Sequence, residues 1–233
     1  MFESRAELRP GKLEALWPLL SALARAHSAQ LCHQVLWQLF ADTEERTRDF
    51  LFHVERQRPL GVILRSARPP VDALGLWDIR TYAFQPQLHA GQSLRFRLEC
   101  VATRTRPQPG AKRGMRQDVA MHALKSLPAA EQVGRTPEDF AESAGLAWLA
   151  RRAGTAGFHC DPDAVQMLGY RRHRLPTPGG GKPLTFGSLI FAGTLEVTAP
   201  DQFVAALGRG FGAARAFGFG LMQVAPAPDG LDL

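Results

Sequence analysis

The alternation of apolar and polar residues changes period several times along the chain, and each change marks an element. Residues 2–8, Phe-Glu-Ser-Arg-Ala-Glu-Leu, alternate as a half-buried strand does, and Pro10-Gly11 ends the run. Residues 13–26 are rich in Leu and Ala and predict helix, which Pro18 breaks in two. The clearest helical period spans 28–40, where Cys32, Val35, Leu36, Leu39 and Phe40 recur at i, i+3, i+4, i+7 and i+8. At 100° per residue His33 falls about 90° from the centre of that stripe, at the margin of the buried face and within reach of a ligand.

Strands are predicted at 50–56 and 61–65, with a shorter one at 79–84. Residues 93–101 alternate strictly. Leu94, Phe96 and Leu98 point one way and Arg95 and Arg97 the other, so the strand can line a core and meet phosphate at once. Residues 104–117 hold Pro107, Pro109, Gly110 and Gly114 among five basic residues and no acid before Asp118, which predicts a mobile loop. Residues 118–135 have no strong period. Thr136-Pro137-Glu138-Asp139 then predicts a helix start, with Thr136 as N-cap and Pro137 first in the helix, running to Arg152 and stopping near Gly154. Strands at 165–174 and 188–197 flank a Gly/Pro turn at 176–183. A short helix at 201–207, a glycine-rich stretch at 208–220 and a strand at 221–224 complete the chain. Helices and strands that interleave without regular βαβ alternation predict an α+β fold, and two ferredoxin-like β-α-β-β-α-β units in tandem fit the length.

Composition narrows the setting. The chain has 233 residues, 45% hydrophobic and 21% charged, a globular balance that excludes a fibrous or wholly disordered chain. No stretch approaches the ~20 apolar residues of a membrane span, and Met1-Phe-Glu-Ser-Arg lacks the apolar core of a signal peptide, so a cytoplasmic protein without membrane partners is expected. Cys32, Cys100 and Cys160 are odd in number and widely spaced, which argues for reduced thiols and against a disulfide framework or a thiolate zinc site. Net charge is +6, and residues 90–135 account for it: Arg95, Arg97, Arg104, Arg106, Lys112, Arg113, Arg116, Lys125 and Arg135 stand against Glu99, Asp118 and Glu131. A polyanionic partner follows from that segment.

Candidate chemistry is sparse. Gly208-Arg-Gly-Phe-Gly-Ala213 fits the dinucleotide fingerprint by letter, but no helix pattern and no acid about 20 residues on follow it. A glycine loop bearing Arg209 and Arg215 can instead lay backbone N–H groups against phosphate, or serve only as a turn. Histidine is the residue type whose ordinary range suits proton transfer at neutral pH, so His33 is a candidate acid or base. His159-Cys160-Asp161 lacks further ligands at metal spacing, and no cofactor or metal is expected.

Several of these pieces occur together in one family. His33-Gln-Val-Leu-Trp-Gln-Leu-Phe40, followed by Arg48-Asp-Phe-Leu-Phe-His-Val-Glu55, resembles the N-terminal signature of the Cascade-type CRISPR repeat endoribonucleases of the RAMP superfamily. Residues 93–98 resemble the strand before that family's variable basic segment. Gly210-Phe-Gly212 with Arg215-Ala-Phe-Gly218-Phe-Gly220-Leu-Met-Gln-Val224 resembles its glycine-rich loop and last strand. The resemblance implies tandem ferredoxin-like domains: 1–103 carrying the catalytic helix, a basic loop at 104–117, and 118–233 ending in the glycine loop. It implies binding of the CRISPR repeat stem-loop and metal-independent cleavage at its 3′ base, with His33 in the catalytic place and Gln30 where the family often has tyrosine. An amide can hold phosphate but cannot titrate. The product would stay bound and join a Cascade-like complex. Arg95, Arg97, Arg104, Arg106, Lys112, Arg113, Arg116, Arg209, Gly210, Gly212, Arg215, Gly218 and Gly220 are the expected RNA contacts. Two alternatives remain open: a repeat-binding scaffold whose cleavage has decayed, and an unrelated basic module that binds nucleic acid without specificity.

Overall fold

The computed structural model describes residues 1–9, 35–40, 49–55, 60–106, 114–175 and 181–227. The expected helix at 13–26, the expected helical residues Gln30, Cys32 and His33, and residues 176–180 of the expected turn at 176–183 lie outside the described residues. The chain forms two compact units, each built from discontinuous segments. The first takes Met1–Pro86, Arg174–Leu184 and Ala214–Leu221; the second takes Gln87–His173, Thr185–Ala213 and Met222–Leu233. Both are α+β and ferredoxin-like, as the sequence predicts.

In the first unit β1 (Phe2–Leu8), β2 (Phe50–Glu55), β3 (Gly61–Ser66) and β4 (Trp77–Ala83) form an antiparallel sheet in the order β2-β3-β1-β4. First and last strands are neighbours at the sheet's centre and edge, which is the ferredoxin-like order. The β3–β4 crossing departs from the ideal motif. Residues 67–76 contain no helix, and Asp72 ties the crossing down by accepting from the backbone N–H groups of Leu76 and Trp77. Ala6 and Leu8 from β1, Phe50 and Phe52 from β2, and Val62 and Leu64 from β3 bury one face of the sheet. Leu36, Leu39 and Phe40 cover it from a helical stretch at 35–37 that passes into a 3-10 turn at Gln38–Phe40.

The second unit follows the motif closely. Its elements are β5 (Ser93–Cys100), the β6 (Thr103–Arg106) and β7 (Met115–Asp118) pair, α1 (Val119–Lys125), α2 (Ala129–Gln132), α3 (Glu138–Ala156), β8 (Phe158–His159), β9 (Val165–Leu175), β10 (Leu184–Val197), α4 (Pro200–Arg209) and β11 (Met222–Pro226). The sheet runs β11-β5-β10-β8, with β9 also on β10. The strands β5, β8/β9, β10 and β11 and the crossover helices α3 and α4 therefore reproduce β-α-β-β-α-β. Leu94, Phe96 and Leu98 of β5 join Phe158, Phe191, Leu195, Phe203 and Leu207 in the buried core, while Arg95 and Arg97 are exposed on the other face.

Three local expectations change. Residues 104–117 were expected as loop throughout, but Thr103–Arg106 pairs antiparallel with Met115–Asp118. The Thr-Arg-Thr-Arg alternation is strand-like, and the Pro/Gly punctuation belongs to the segment between the two arms. The aperiodic 118–135 stretch holds two short helices. Asp118 starts the first by accepting from Met121 N–H at 2.8 Å, a cap rather than a periodicity. α3 starts one residue later and ends four residues later than the sequence predicts, with Pro137 at the cap position and closure at Gly157, whose N–H bonds the Ala153 carbonyl. Buried Ala153 and Ala156 extend the packed face past Gly154. No helix among the described residues is long and apolar enough to cross a membrane.

Candidate nucleic-acid interface

Of the residues expected to form the helix with His33, only 35–40 are described, and that turn is firmly seated. Phe40 stacks on Phe50 with ring centroids 4.3 Å apart, and Trp37 meets Phe50 edge-on at 5.5 Å. Arg68 donates from Nη2 to the Phe40 carbonyl at 2.8 Å and from Nε to Asp49 Oδ2 at 2.8 Å. A cation at the last carbonyls of a helical segment complements its dipole as well as its hydrogen bonding. The anchored turn begins two residues after His33. His33 and Gln30 themselves lie outside the described residues.

The second sheet presents a polar face opposite its helices. Arg95 and Arg97 lie there, opposite Thr194 and Ala192 on β10 and opposite Ala225 and Gln223 on β11. Arg95 Nε reaches the Pro226 carbonyl at 3.4 Å. Further along the same face Ser188, fully buried, hydrogen-bonds His173 Nε2 at 2.8 Å and donates to Glu99 Oε1 at 3.3 Å, and the His173 ring stacks on Phe186. The hydroxyl thus couples three strands through one polar atom.

Arg104 on β6 and Arg116 on β7 are exposed, and Arg106 ends its strand. Lys112 and Arg113 lie outside the described residues. At the base of the pair the Asp118 carboxyl is held above the ordinary carboxylate range by burial, against the opposing pull of N–H groups from Met121, Gly187 and Ala120 and of the Tyr170 hydroxyl, which donates at 3.5 Å. Burial and the neighbouring Asp118 and Glu138 charges push the Tyr170 hydroxyl up as well, so it stays protonated and a donor.

The glycine-rich loop leaves α4 at Gly210, just after the exposed Arg209. Gly210, Gly212, Gly218 and Gly220 all have positive φ, and Ala214 adopts the left-handed region at φ 55. Two positions require glycine on space as well. A Cβ on Gly212 would stand 2.6 Å from the Val101 carbonyl oxygen, where Ala213 N–H bonds that same carbonyl at 2.9 Å. A Cβ on Gly218 would stand 2.8 Å from the Phe52 ring. Half-buried Arg215 opens a 3-10 turn, Arg215–Phe217, between these two contacts. The loop is therefore a sequence of tight backbone turns that follows Arg209 and carries Arg215 near its middle.

One basic element escaped the sequence reading. The β9–β10 hairpin carries Arg171, Arg172, His173 and Arg174 on its outgoing arm and Lys182 before its return, with Arg172, Arg174 and Lys182 exposed. The consecutive Arg-Arg-His-Arg run was its signal. The described cysteines offer no reactive thiolate: burial pushes the Cys160 thiol up to about 12 and Cys100 higher still. Among the described residues, no three or more His, Cys, Asp or Glu side chains converge as a metal shell would require.

Comparison with known proteins places these features in a family context. The family described as "CRISPR associated protein" matches residues 1–226. The chain is 31% identical over 209 residues to the CRISPR system Cascade subunit CasE of Escherichia coli K12, covering 88% of this chain and 96% of that one. It is 31% identical over 151 residues to the CRISPR-associated endoribonuclease Cse3 of Thermus thermophilus, covering 61% of this chain and 60% of that one. Its fold is similar to that of CRISPR endoribonuclease Cse3 bound to a 19-nucleotide RNA, with TM-score 0.67, 26% identity, and 97% and 99% of the two chains covered. With two ferredoxin-like units, a glycine-rich loop after α4 and a family match that runs over residues 1–226, this chain belongs to the CRISPR associated protein family.

Proposed function

We propose that this protein is an endoribonuclease that binds the stem-loop of a CRISPR repeat, cuts precursor CRISPR RNA at the 3′ base of the hairpin without a metal, and remains on the product within a Cascade-like complex. The observation that carries the reading is the end-to-end likeness to a Cascade subunit, 31% over 209 residues, in a chain whose fold aligns over 97% of its length with a Cse3–RNA complex. The basic face at Arg95 and Arg97, the β6–β7 arms with Arg104, Arg106 and Arg116, and the loop with Arg209 and Arg215 support it, since guanidinium forks suit phosphate. Lys112 and Arg113 extend the same basic run in sequence, and Gly210, Gly212, Gly218 and Gly220 let backbone approach the RNA closely.

The chemistry follows from the residue types. The ribose 2′-OH before the cut loses its proton and attacks the adjacent phosphorus. The P–O5′ bond breaks as the P–O2′ bond forms, leaving a 2′,3′-cyclic phosphate, and the departing O5′ takes up a proton to become a 5′-OH. His33 moves one of these protons, which is worth about 10²–10⁴-fold, and alignment of the 2′-OH with the phosphate supplies much of the remainder. Gln30 can hold a phosphate oxygen through its amide without titrating. The test is cleavage of a labelled cognate repeat in chelator. His33→Ala is expected to slow it at least 100-fold with repeat affinity retained; a variant that cuts as fast as the wild type sinks the mechanism.

Gln30, standing where the family often has tyrosine, favours a second reading: a repeat-binding scaffold that does not cut. Tight repeat binding with no cyclic-phosphate product under any condition would establish it instead.

A further inference from the structure

A cleft of about 320 Å³ opens between β6 and α3 within the second unit. Its α3 wall is formed by Trp148, Arg151, Arg152 and Thr155, which recur at i, i+3, i+4 and i+7 and so share one helix face. That spacing normally marks an apolar stripe. Here it passes from a buried Trp148 into two guanidiniums and a hydroxyl. β6 forms the opposite wall with Arg104 between two threonines, Thr103 and Thr105.

Three arginines and no acid therefore line one concavity. Neither helical arginine has a carboxylate three or four residues away: Ala147, Trp148, Gly154, Thr155 and their counterparts Leu149 and Ala156 occupy those places. Among the described residues none of the three forms a salt bridge, whereas Arg5, Arg65 and Arg68 each do. Arg152 lies over the Trp148 ring at 5.7 Å, which fixes its guanidinium against the wall without neutralising it. Converging like charges cost energy unless an anion joins them.

We propose that this cleft is a further RNA-binding site that takes the phosphodiester backbone of a single-stranded segment, without regard to base. The inference rests on the reading of the protein as an RNA-processing enzyme, and adds a site to it. Guanidinium forks pair bidentately with phosphate oxygens, and the threonine hydroxyls can exchange hydrogen bonds with ribose 2′-OH groups. The volume lies at the lower end of the ~300–1,000 Å³ of ligand pockets, which suits a unit or two of backbone rather than a duplex. Trp148 is 3% exposed, so no ring is offered to a base and the site reads charge alone. Arg104 is also the first residue of the basic run that continues in sequence to Arg116, which lies on the paired arm opposite Thr105.

The experiment uses the full-length protein, two RNA probes and one peptide. An unstructured oligouridylate reports the cleft, and a cognate repeat stem-loop trimmed of single-stranded flanks reports the proposed repeat binding. With Arg151→Ala/Arg152→Ala, oligouridylate affinity in low salt is expected to fall at least tenfold. The slope of log K against log salt should drop by about 1.4, two contacts at ~0.7 each for a single strand. Stem-loop affinity and its cleavage should change less than twofold, and Arg151→Lys/Arg152→Lys should recover much of the oligouridylate binding. Unchanged oligouridylate binding in the alanine variant, with an unchanged thermal melt, overturns the site while leaving the repeat-nuclease reading intact. If instead the wild type neither binds nor cuts the stem-loop while oligouridylate binding still depends on the two arginines, the repeat-nuclease reading fails and the cleft stands. Polyglutamate competing as well as oligouridylate, with the same dependence, would make the occupant an acidic protein segment and overturn the RNA assignment.

Discussion

Arg65 is a guanidinium at 2% exposure in the first sheet, opposite Glu3 in register, donating to its carboxylate from Nε at 3.1 Å and again from Nη2. The Phe84 ring lies 4.0 Å from its Cζ. Burial lowers its pKa and the Glu3 charge and hydrogen bonds raise it again, so the pair is held together by the expense of leaving the cation alone. Glu3→Ala is expected to cost about 1–3 kcal/mol in urea unfolding, below the range for a fully buried pair because Glu3 is 37% exposed. Arg5→Ala, which removes an exposed pair with Glu7 and a half-buried one with Glu55 from an exposed guanidinium, should cost about 0–1 kcal/mol. Equal losses would mean that burial does not set the value of the pair. Asp118 gives a prediction in pH. Its carboxyl sits above the ordinary range because of burial, so in the interval between its unfolded and folded values the native state binds more protons than the unfolded chain. Stability from this group is therefore full below the ordinary carboxylate value and is lost as pH rises through the raised one. Asp118→Asn cannot titrate. The stability difference between variant and wild type should shift toward the variant as pH rises from about 3.5 to 7, and a flat difference in urea midpoints across that range refutes the raised value. Neither residue was legible beforehand: a strand arginine and a loop aspartate look solvated until a partner strand or a cap is placed.

The glycine-rich loop shows what an element demands of its residues. Gly218→Ala must place a Cβ against Phe52 at 2.8 Å in a backbone region that disfavours side chains, φ +89, and is expected to cost about 1–3 kcal/mol. Ala214 already occupies such a region, at φ 55, so Ala214→Gly should be neutral or stabilising by up to about 1 kcal/mol. Thermal melts of the two variants check the pair together; similar destabilisation by both would contradict the loop geometry. Elements with a strong local period were legible in this way, down to the buried and exposed faces of β5. Elements made by a cap or by a distant partner were not. The β6–β7 pair is four residues a side and joined through a Pro/Gly-rich sequence that reads as loop, α1 starts on the Asp118 cap, and β8 is two residues whose strand pairing is with Glu196 and Val197. Of the expected helix at 28–40, the described end at 35–40 follows the period, because Leu36, Leu39 and Phe40 carry both that period and the seat on β2.

At the scale of the molecule, sequence order and spatial grouping part company. The first unit takes two late segments, Arg174–Leu184 and Ala214–Leu221, and no local pattern could announce pairings that distant. Charge, in contrast, was readable in advance. Nine of the 28 basic residues and three of the 22 acidic ones fall in residues 90–135, so the remainder of the chain is balanced and the +6 belongs to one stretch. That stretch lies wholly in the second unit, on β5, the β6–β7 arms and the short helices after them. A polyanion bound there should release counterions in proportion to the arginines that touch phosphate, and a uniformly basic surface would behave differently. For a cognate repeat stem-loop, Arg95→Gln/Arg97→Gln should reduce the slope of log K against log salt by about 0.9 per lost contact, hence by up to about 1.8 together. Arg80→Gln, an exposed charge on β4 in the first unit, should leave the slope within about 0.3. Far-UV spectra of the variants control for folding, since Arg95 and Arg97 contribute nothing to the buried side of their strand. If Arg80→Gln lowers the slope as much as either β5 arginine does, the RNA is responding to net charge and not to the face that the alternation of β5 creates.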